Sequence, residues 1–194
     1  MTRSPASSAA CGGGAGLTFA VAAVVALAVA VLHSGHAHQT EPDRLAALVT
    51  AVIDGDTIRV TTADEKPLGR VRLLGINAPE IAHPGQAGEC FGNEATAALK
   101  RPLHPGDMIF LFTDPTQADR DTYGRLLRYV SLDGSAGRTR DDVGLSQIRN
   151  GYARARTDSP AVARHARYAD AKKAARNHHR GLWRTCGTTG LAHD

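Results

Sequence analysis

Leu48-Val49-Thr50-Ala51-Val52-Ile53-Asp54-Gly55-Asp56-Thr57-Ile58-Arg59-Val60-Thr61 reads as a strand, a tight turn and a second strand. Leu48, Val49, Val52 and Ile53 supply an apolar run of strand character. Asp54-Gly55 is a strong turn signal, because a tight turn needs residues that tolerate positive φ. From Thr57 to Thr61 polar and apolar residues alternate with the two-residue period of a strand.

The reading extends outward from that hairpin. Residues 63–67 form a second turn, and Val71 and Leu73 alternate with Arg72 on a third strand. Residues 78–89 hold proline and glycine and read as a loop. A helix is expected from about Asn93, a good cap residue, to just before Pro102. Residues 108–113 make a strongly apolar strand, residues 114–122 a charged loop, and residues 125–130 a further strand. Residues 142–152 read as a short helix and residues 160–179 as an Ala- and Arg-rich one ended by Gly181. The expected fold is therefore α+β. Five short strands are too few for a large open sheet, and a small barrel suits them. With one helix inserted after the third strand and two helices at the C-terminal end, the pattern is that of a five-stranded OB-fold.

The chain has 194 residues, 42% hydrophobic and 22% charged, which is a globular composition. Net charge is +4, a mild basic bias that suits phosphate backbones without requiring them. Residues 1–37 carry Arg3 and no acid, so the basic excess belongs to the body and gathers late, as at Arg154, Arg156, Lys172, Lys173 and Arg176. Residues 17–32 are apolar apart from one threonine. They lie in length between a signal-peptide core and a membrane span. Gly35-His36-Ala37 offers small residues for cleavage after Ala37, and retention as an anchor is the rival reading. The domain plan is a leader at 1–37, a linker at 38–44, the folded body at 45–187 and a loose tail at 188–194. Such a body is secreted, or held outside the cytoplasm by residues 17–32, and touches a membrane only there. Cys11 precedes the apolar run, which leaves Cys90 and Cys186 as an even pair in an exported body. Export favours a disulfide between them, against the alternative of two buried free thiols.

Three segments carry possible chemistry. Asp54-Gly55-Asp56-Thr57 places two carboxylates on one turn, which can bind a hard cation through oxygen or can be a plain hairpin turn. Arg72 is followed by Asn77-Ala78-Pro79-Glu80, an amide oxygen and a carboxylate in an irregular loop. Pro79 keeps Ala78 extended, with its carbonyl available. Arg125 follows Gly124 at a strand start, where a phosphate has room to approach. Its plainer reading is an exposed arginine paired with Asp119 or Asp121. Two guanidiniums on neighbouring strands can grip one phosphate bidentately.

In this order the blocks resemble the staphylococcal nuclease family. The likeness rests on Ala51-Val52-Ile53-Asp54-Gly55-Asp56-Thr57, residues 72–80, Phe91-Gly92-Asn93-Glu94-Ala95, Tyr123-Gly124-Arg125 and Gly181-Leu182-Trp183. It implies an OB-fold nuclease that cleaves DNA or RNA with calcium (Ca2+), leaving 3′-phosphate and 5′-hydroxyl ends. Carried over, Asp56, Asn77 and the Ala78 carbonyl hold the metal. Glu80 handles the attacking water, and Arg72 and Arg125 hold the scissile phosphate. Tyr123, Arg154 and Arg156 are the expected substrate contacts. The implied partner is nucleic acid, single-stranded by preference, bound by a monomer. Two departures stand out. Asn77 replaces the family's second metal aspartate, which removes one formal charge and lowers calcium affinity. The stretch Ala153-Arg154-Ala155-Arg156-Thr157 lacks the tyrosines that stack on a base in the family's type member. A rival reading is an inactive OB-fold that only binds nucleic acid. The joint presence of Arg72, Glu80 and Arg125 favours the enzyme.

Overall fold

The computed structural model describes residues 44–133, 142–157 and 160–186. The expected leader and tail lie outside these residues. Among the described residues no helix is long and apolar enough to cross a membrane.

Five strands close into a barrel: β1 (Arg44–Val52), β2 (Thr57–Thr61), β3 (Pro67–Leu73), β5 (Met108–Phe112) and β6 (Leu126–Ser131), in the order β1-β2-β3-β6-β5. Strand β1 is the longest because it serves two neighbours. Arg44 to Leu48 pair with β5, and Leu48 to Val52 pair with β2 across an irregularity between Val49 and Ala51. Such a bulge bends the strand so that one ribbon turns the barrel corner. Parallel pairing of β3 with β6 completes the ring. Alternate residues point inward, and Ala47, Val49, Ile58, Val60, Val71, Leu73, Ile109, Leu111 and Val130 join the buried core. Each fully buried Ile, Leu or Val contributes about 1.5–3 kcal/mol.

Helix α1 (Gly92–Lys100) lies between the third and fourth barrel strands, as the sequence predicts. Its cap differs from expectation. Phe91, not Asn93, takes the N-cap position with φ 74° and no side-chain cap bond. The Phe91 ring stacks on Tyr152 at 5.8 Å between centroids, and the neighbouring Cys90 is bonded to Cys186. Those attachments hold the chain where a polar cap would otherwise be needed.

Two elements escaped the sequence reading. Strands β4 (Ile76–Asn77) and β7 (Arg154–Ala155) have two residues each and pair only with one another. No periodicity can reveal a two-residue strand. Helix α2 (Val143–Arg149) fits within the predicted span, α3 (His165–Asn177) starts later than predicted, and a short α4 (Leu182–Thr185) follows it. Helix α3 docks through buried polar groups. Asp142 caps α2 by accepting from Leu145 N at 2.9 Å, and it also accepts from Tyr168 Oη at 2.9 Å and Arg164 Nη1 at 2.7 Å. Arg164 lies 3.9 Å over the Tyr129 ring, and the Tyr129 hydroxyl donates to Asp114.

Candidate active site

The Asp54–Asp56 turn is built by backbone. Ile53 N and Asp54 N both donate to Thr57 O, at 2.9 and 3.3 Å. At position 55 any side chain would collide, since a Cβ there would stand 2.5 Å from the Ala78 Cβ and 2.9 Å from the Ala95 Cβ. The turn is thus pressed between α1 and the segment after β4. A side chain that nothing local in the sequence singles out completes this packing. Gln147 of α2, 4% exposed, donates through Nε2 to Gly55 O at 3.0 Å and to Ala95 O at 3.1 Å.

Asp56 is 3% exposed, and both of its oxygens have partners. Its Oδ2 accepts from Ala78 N at 2.8 Å and lies 2.9 Å from Arg72 Nη2, while Oδ1 accepts from the Thr57 hydroxyl at 3.1 Å. Burial pushes the Asp56 carboxyl up to about 6. Arg72 pulls it down, and Asp54 and Glu80 add to the rise. Arg72 sits opposite Thr57 in the β2–β3 register. Its Nη1 donates to Leu73 O at 3.0 Å and to Ile76 O at 2.9 Å, and its Nη2 also donates to Asn77 Oδ1 at 3.1 Å. One buried guanidinium therefore joins the Asp-Gly-Asp turn to the Asn77 loop.

Glu80 follows on that loop, half-buried. Burial raises its carboxyl above the ordinary glutamate value, with Asp54 and Glu89 adding to the rise and Arg72 and His83 opposing it. Its backbone is pinned: Glu80 N donates to Glu89 Oε2 at 3.1 Å, and Glu89 N donates to Glu80 O at 2.8 Å. Position 92 must be glycine for the loop to close, because a Cβ there would stand 2.2 Å from Glu80 O. The Cys90–Cys186 disulfide, spanning 96 residues, fixes the end of the same loop to the C-terminal segment.

Arg125 joins the cluster through Thr57, whose hydroxyl lies 3.4 Å from Arg125 Nη1. Its Nε donates to Asp121 Oδ2 at 2.7 Å, the pairing that its plainer reading anticipated. Partial burial would raise the Asp121 carboxyl, but hydrogen bonds from Arg125 and Tyr123 hold it below the ordinary value. Tyr123 is 77% exposed, with Arg125 5.4 Å above its ring. Asp56, Arg72, Asn77, Ala78, Glu80 and Arg125 thus come to one end of the barrel. The two predicted substrate arginines part company. Arg156 is exposed, with its N–H on Gly75 O at 2.9 Å. Arg154 is 4% exposed and sits opposite Asn77 in the β4–β7 ladder, in the wall of the site rather than on its surface.

No group of three or more His, Cys, Asp or Glu side chains gathers as a metal cluster among the described residues. The groups at Asp56 are of another kind: its carboxylate and the Asn77 amide oxygen meet on Arg72 Nη2, and the backbone of Ala78 adjoins through its N–H on Asp56 Oδ2. Such hard oxygen donors suit calcium rather than a thiolate- or imidazole-seeking metal. Burial raises the Asp56 and Glu80 carboxyls, the negative charge of Asp54 adds to both and that of Glu80 adds to Asp56, and an added cation would oppose this repulsion. The residues present therefore fit the ion.

A family model described as "Staphylococcal nuclease homologue" matches residues 70–185. A thermonuclease from Staphylococcus hyicus is 30% identical over 172 residues, covering 87% of this chain and 95% of that protein. The endonuclease YncB of Bacillus subtilis (strain 168) is 36% identical over 84 residues, which are 43% of this chain and 38% of that protein. The SPbeta prophage-derived endonuclease YokF of the same strain is also 36% identical over 84 residues, here 27% of its length.

Proposed function

From the premise that this chain belongs to the staphylococcal nuclease family, and is a nuclease hydrolysing phosphodiester bonds, we propose calcium-dependent cleavage of DNA or RNA at the barrel end that carries Arg72. The observation that carries this reading is the meeting of Asp56 Oδ2 and Asn77 Oδ1 on one nitrogen of Arg72, at 2.9 and 3.1 Å, with Glu80 beside them. Asp56, Asn77 and the Ala78 carbonyl would hold calcium, which supplies positive charge against the negative charge that grows on the phosphate.

The chain's own side chains divide the remaining work. Glu80 accepts the proton of the attacking water, and its raised affinity for protons makes it a better base. Water oxygen bonds to phosphorus as the bond to the 5′ oxygen breaks, leaving a 3′-phosphate and, once that oxygen is protonated, a 5′-hydroxyl. Arg72 meets the developing charge from a guanidinium already fixed by its acceptors, so little reorganisation is needed. Arg125 offers a planar fork from the far side of Thr57 and exchanges the Asp121 carboxylate for phosphate oxygens. Tyr123, exposed beside it, is placed to lie against a base. A body exported to an oxidising compartment accords with the Cys90–Cys186 bond.

The test is incubation of purified protein with single-stranded DNA and RNA, first with calcium and then with excess chelator, followed by end analysis. Cleavage lost in chelator, with 3′-phosphate ends, is the expected result. Undiminished cleavage in chelator removes the metal assignment, and 5′-phosphate ends remove the proposed direction of bond breaking.

A further inference from the structure

A second basic surface lies apart from Arg72 and Arg125. A groove of about 360 Å³ runs between β7 and α3, lined on one side by Arg156 and on the other by His165, Ala169, Lys172, Lys173 and Arg176. The α3 positions recur at helical spacing and so form one face, while Tyr168, Ala171 and Ala175 turn into the protein. Four full positive charges and a histidine line the groove, and no carboxylate does among the described residues. Arg176 has a plainer use as well, complementing the helix dipole in the last turn of α3 and lying 5.9 Å from the centre of the Trp183 ring. That use does not account for Lys172, Lys173 and Arg156 lining the same groove.

The β7 side of the groove is tied by its backbone to the segment that carries Asn77. Arg156 N donates to Gly75 O at 2.9 Å, and two residues earlier Arg154 pairs with Asn77 across the β4–β7 ladder. At 1.5 Å per residue, the face from His165 to Arg176 extends about 16 Å, room for more than one phosphate. We propose that this groove binds the sugar–phosphate backbone of the substrate strand beyond the scissile bond, so that long nucleic acids are held at two places and short ones at one. The proposal rests on the nuclease reading given above. The basic excess of the late sequence would then act mainly on affinity, through release of counterions from the bound phosphates.

The test compares the parent with the triple variant Lys172→Gln, Lys173→Gln, Arg176→Gln, all substitutions on a solvent-facing helix side. Metal-free binding of a long single-stranded oligonucleotide should weaken about 10–100-fold at moderate salt, and the log–log salt slope should become shallower by about 2, at roughly 0.7 per lost phosphate contact. KM for the long strand should rise in parallel, while kcat/KM on a dinucleotide stays at the parental value. Unchanged binding, slope and KM overturn the proposal. So does loss of binding to anionic lipid vesicles with DNA binding intact, which would assign the groove to a membrane surface. A parent that binds the long strand through these residues but cleaves nothing leaves the groove standing and defeats the nuclease reading instead.

Discussion

Asn77 holds its side-chain oxygen 3.1 Å from Arg72 Nη2, the same nitrogen that lies 2.9 Å from Asp56 Oδ2. The loop that follows β4 is therefore locked to the Asp-Gly-Asp turn by a cation, not by a carboxylate pair. Replacing Asn77 with Asp keeps the shape and adds a charge both to the Arg72 contact and to the proposed calcium donors. The calcium concentration for half-maximal cleavage should fall about tenfold in Asn77→Asp, by analogy with charge-tuned calcium sites. Titration of initial rate against free calcium checks it, and an unchanged or raised half-point would show that Asn77 does not face the ion.

Gln147 gives a second prediction. Gln147→Leu conserves volume but removes both donors from Gly55 O and Ala95 O. Leaving buried acceptors unmet costs about 1–3 kcal/mol. For a chain of this size that lowers Tm by about 2–4 °C per kcal/mol. Because Gly55 lies between Asp54 and Asp56, the turn should also lose its placement, and the calcium half-point should rise at temperatures far below Tm. A fall in Tm with an unaltered calcium half-point would make Gln147 a packing residue only.

Most of the barrel was legible because strand alternation and turn residues are local. The hairpin of residues 48–61 and the run at residues 108–113 announce themselves, and the structure closes them into the predicted ring. The candidate site residues Asp56, Arg72, Asn77, Glu80 and Arg125 lie in segments that each allowed a plain reading, and only their order, through the family resemblance, singled them out together. What stayed hidden is what long-range packing decides. Gln147 acts across 92 positions, and nothing in its neighbourhood marks it. Arg154 and Arg156 stand two apart and would share one face of a continued strand, yet Arg154 is buried within β7 and Arg156, just past its end, is exposed. The sequence alone could not say which without the partner strand β4, itself too short to be read. Phe91 replaces a polar cap because a disulfide and an aromatic stack hold it, and both of those contacts are distant in sequence.

Asp114 sets the acid limit of the helix dock. Burial would raise its carboxyl, but the Tyr129 hydroxyl, the Thr116 N–H and hydroxyl, and the Ala163 N–H hold it below the ordinary aspartate value. A depressed folded-state pKa contributes stability above the unfolded value, lost as pH falls through the folded one. Asp114→Asn should therefore destabilise the protein by about 1–3 kcal/mol at pH 7. The gap should narrow as pH falls below 3.8. Urea melts of the two proteins across pH check this. A gap that persists in strong acid would place the effect in packing rather than in charge.

The Cys90–Cys186 bond closes a loop of 96 residues between the end of the Glu80 loop and the segment after α4. The chain-entropy model gives about 4–5 kcal/mol for such a loop. Reduction, or the double replacement by Ser, should lower the urea midpoint by a comparable free energy and loosen the loop that carries Glu80. Mass spectrometry of the unreduced protein should find the pair linked, and free thiols in the native, oxidised preparation would contradict the assignment.

On the proposed reading, Glu80 and Arg125 act on the transition state at the Arg72 end of the barrel. Arg72 is too deeply engaged for its removal to report on chemistry alone, since Arg72→Ala would leave Asp56 buried without its counter-ion. The decisive measurement is turnover at saturating single-stranded DNA with calcium, set beside metal-free equilibrium binding, for Glu80→Gln, Arg125→Ala and Arg125→Lys. Turnover should fall about 10²–10³-fold in Arg125→Ala, the usual cost of one preorganised donor. Arg125→Lys should recover little of it, because a point charge lacks the planar fork. Glu80→Gln should fall by about 10²–10⁴-fold, the usual share of a general base. Binding should change by far less in all three. Near-parental turnover in Glu80→Gln and Arg125→Ala alike would contradict the account and place the nuclease activity at another site.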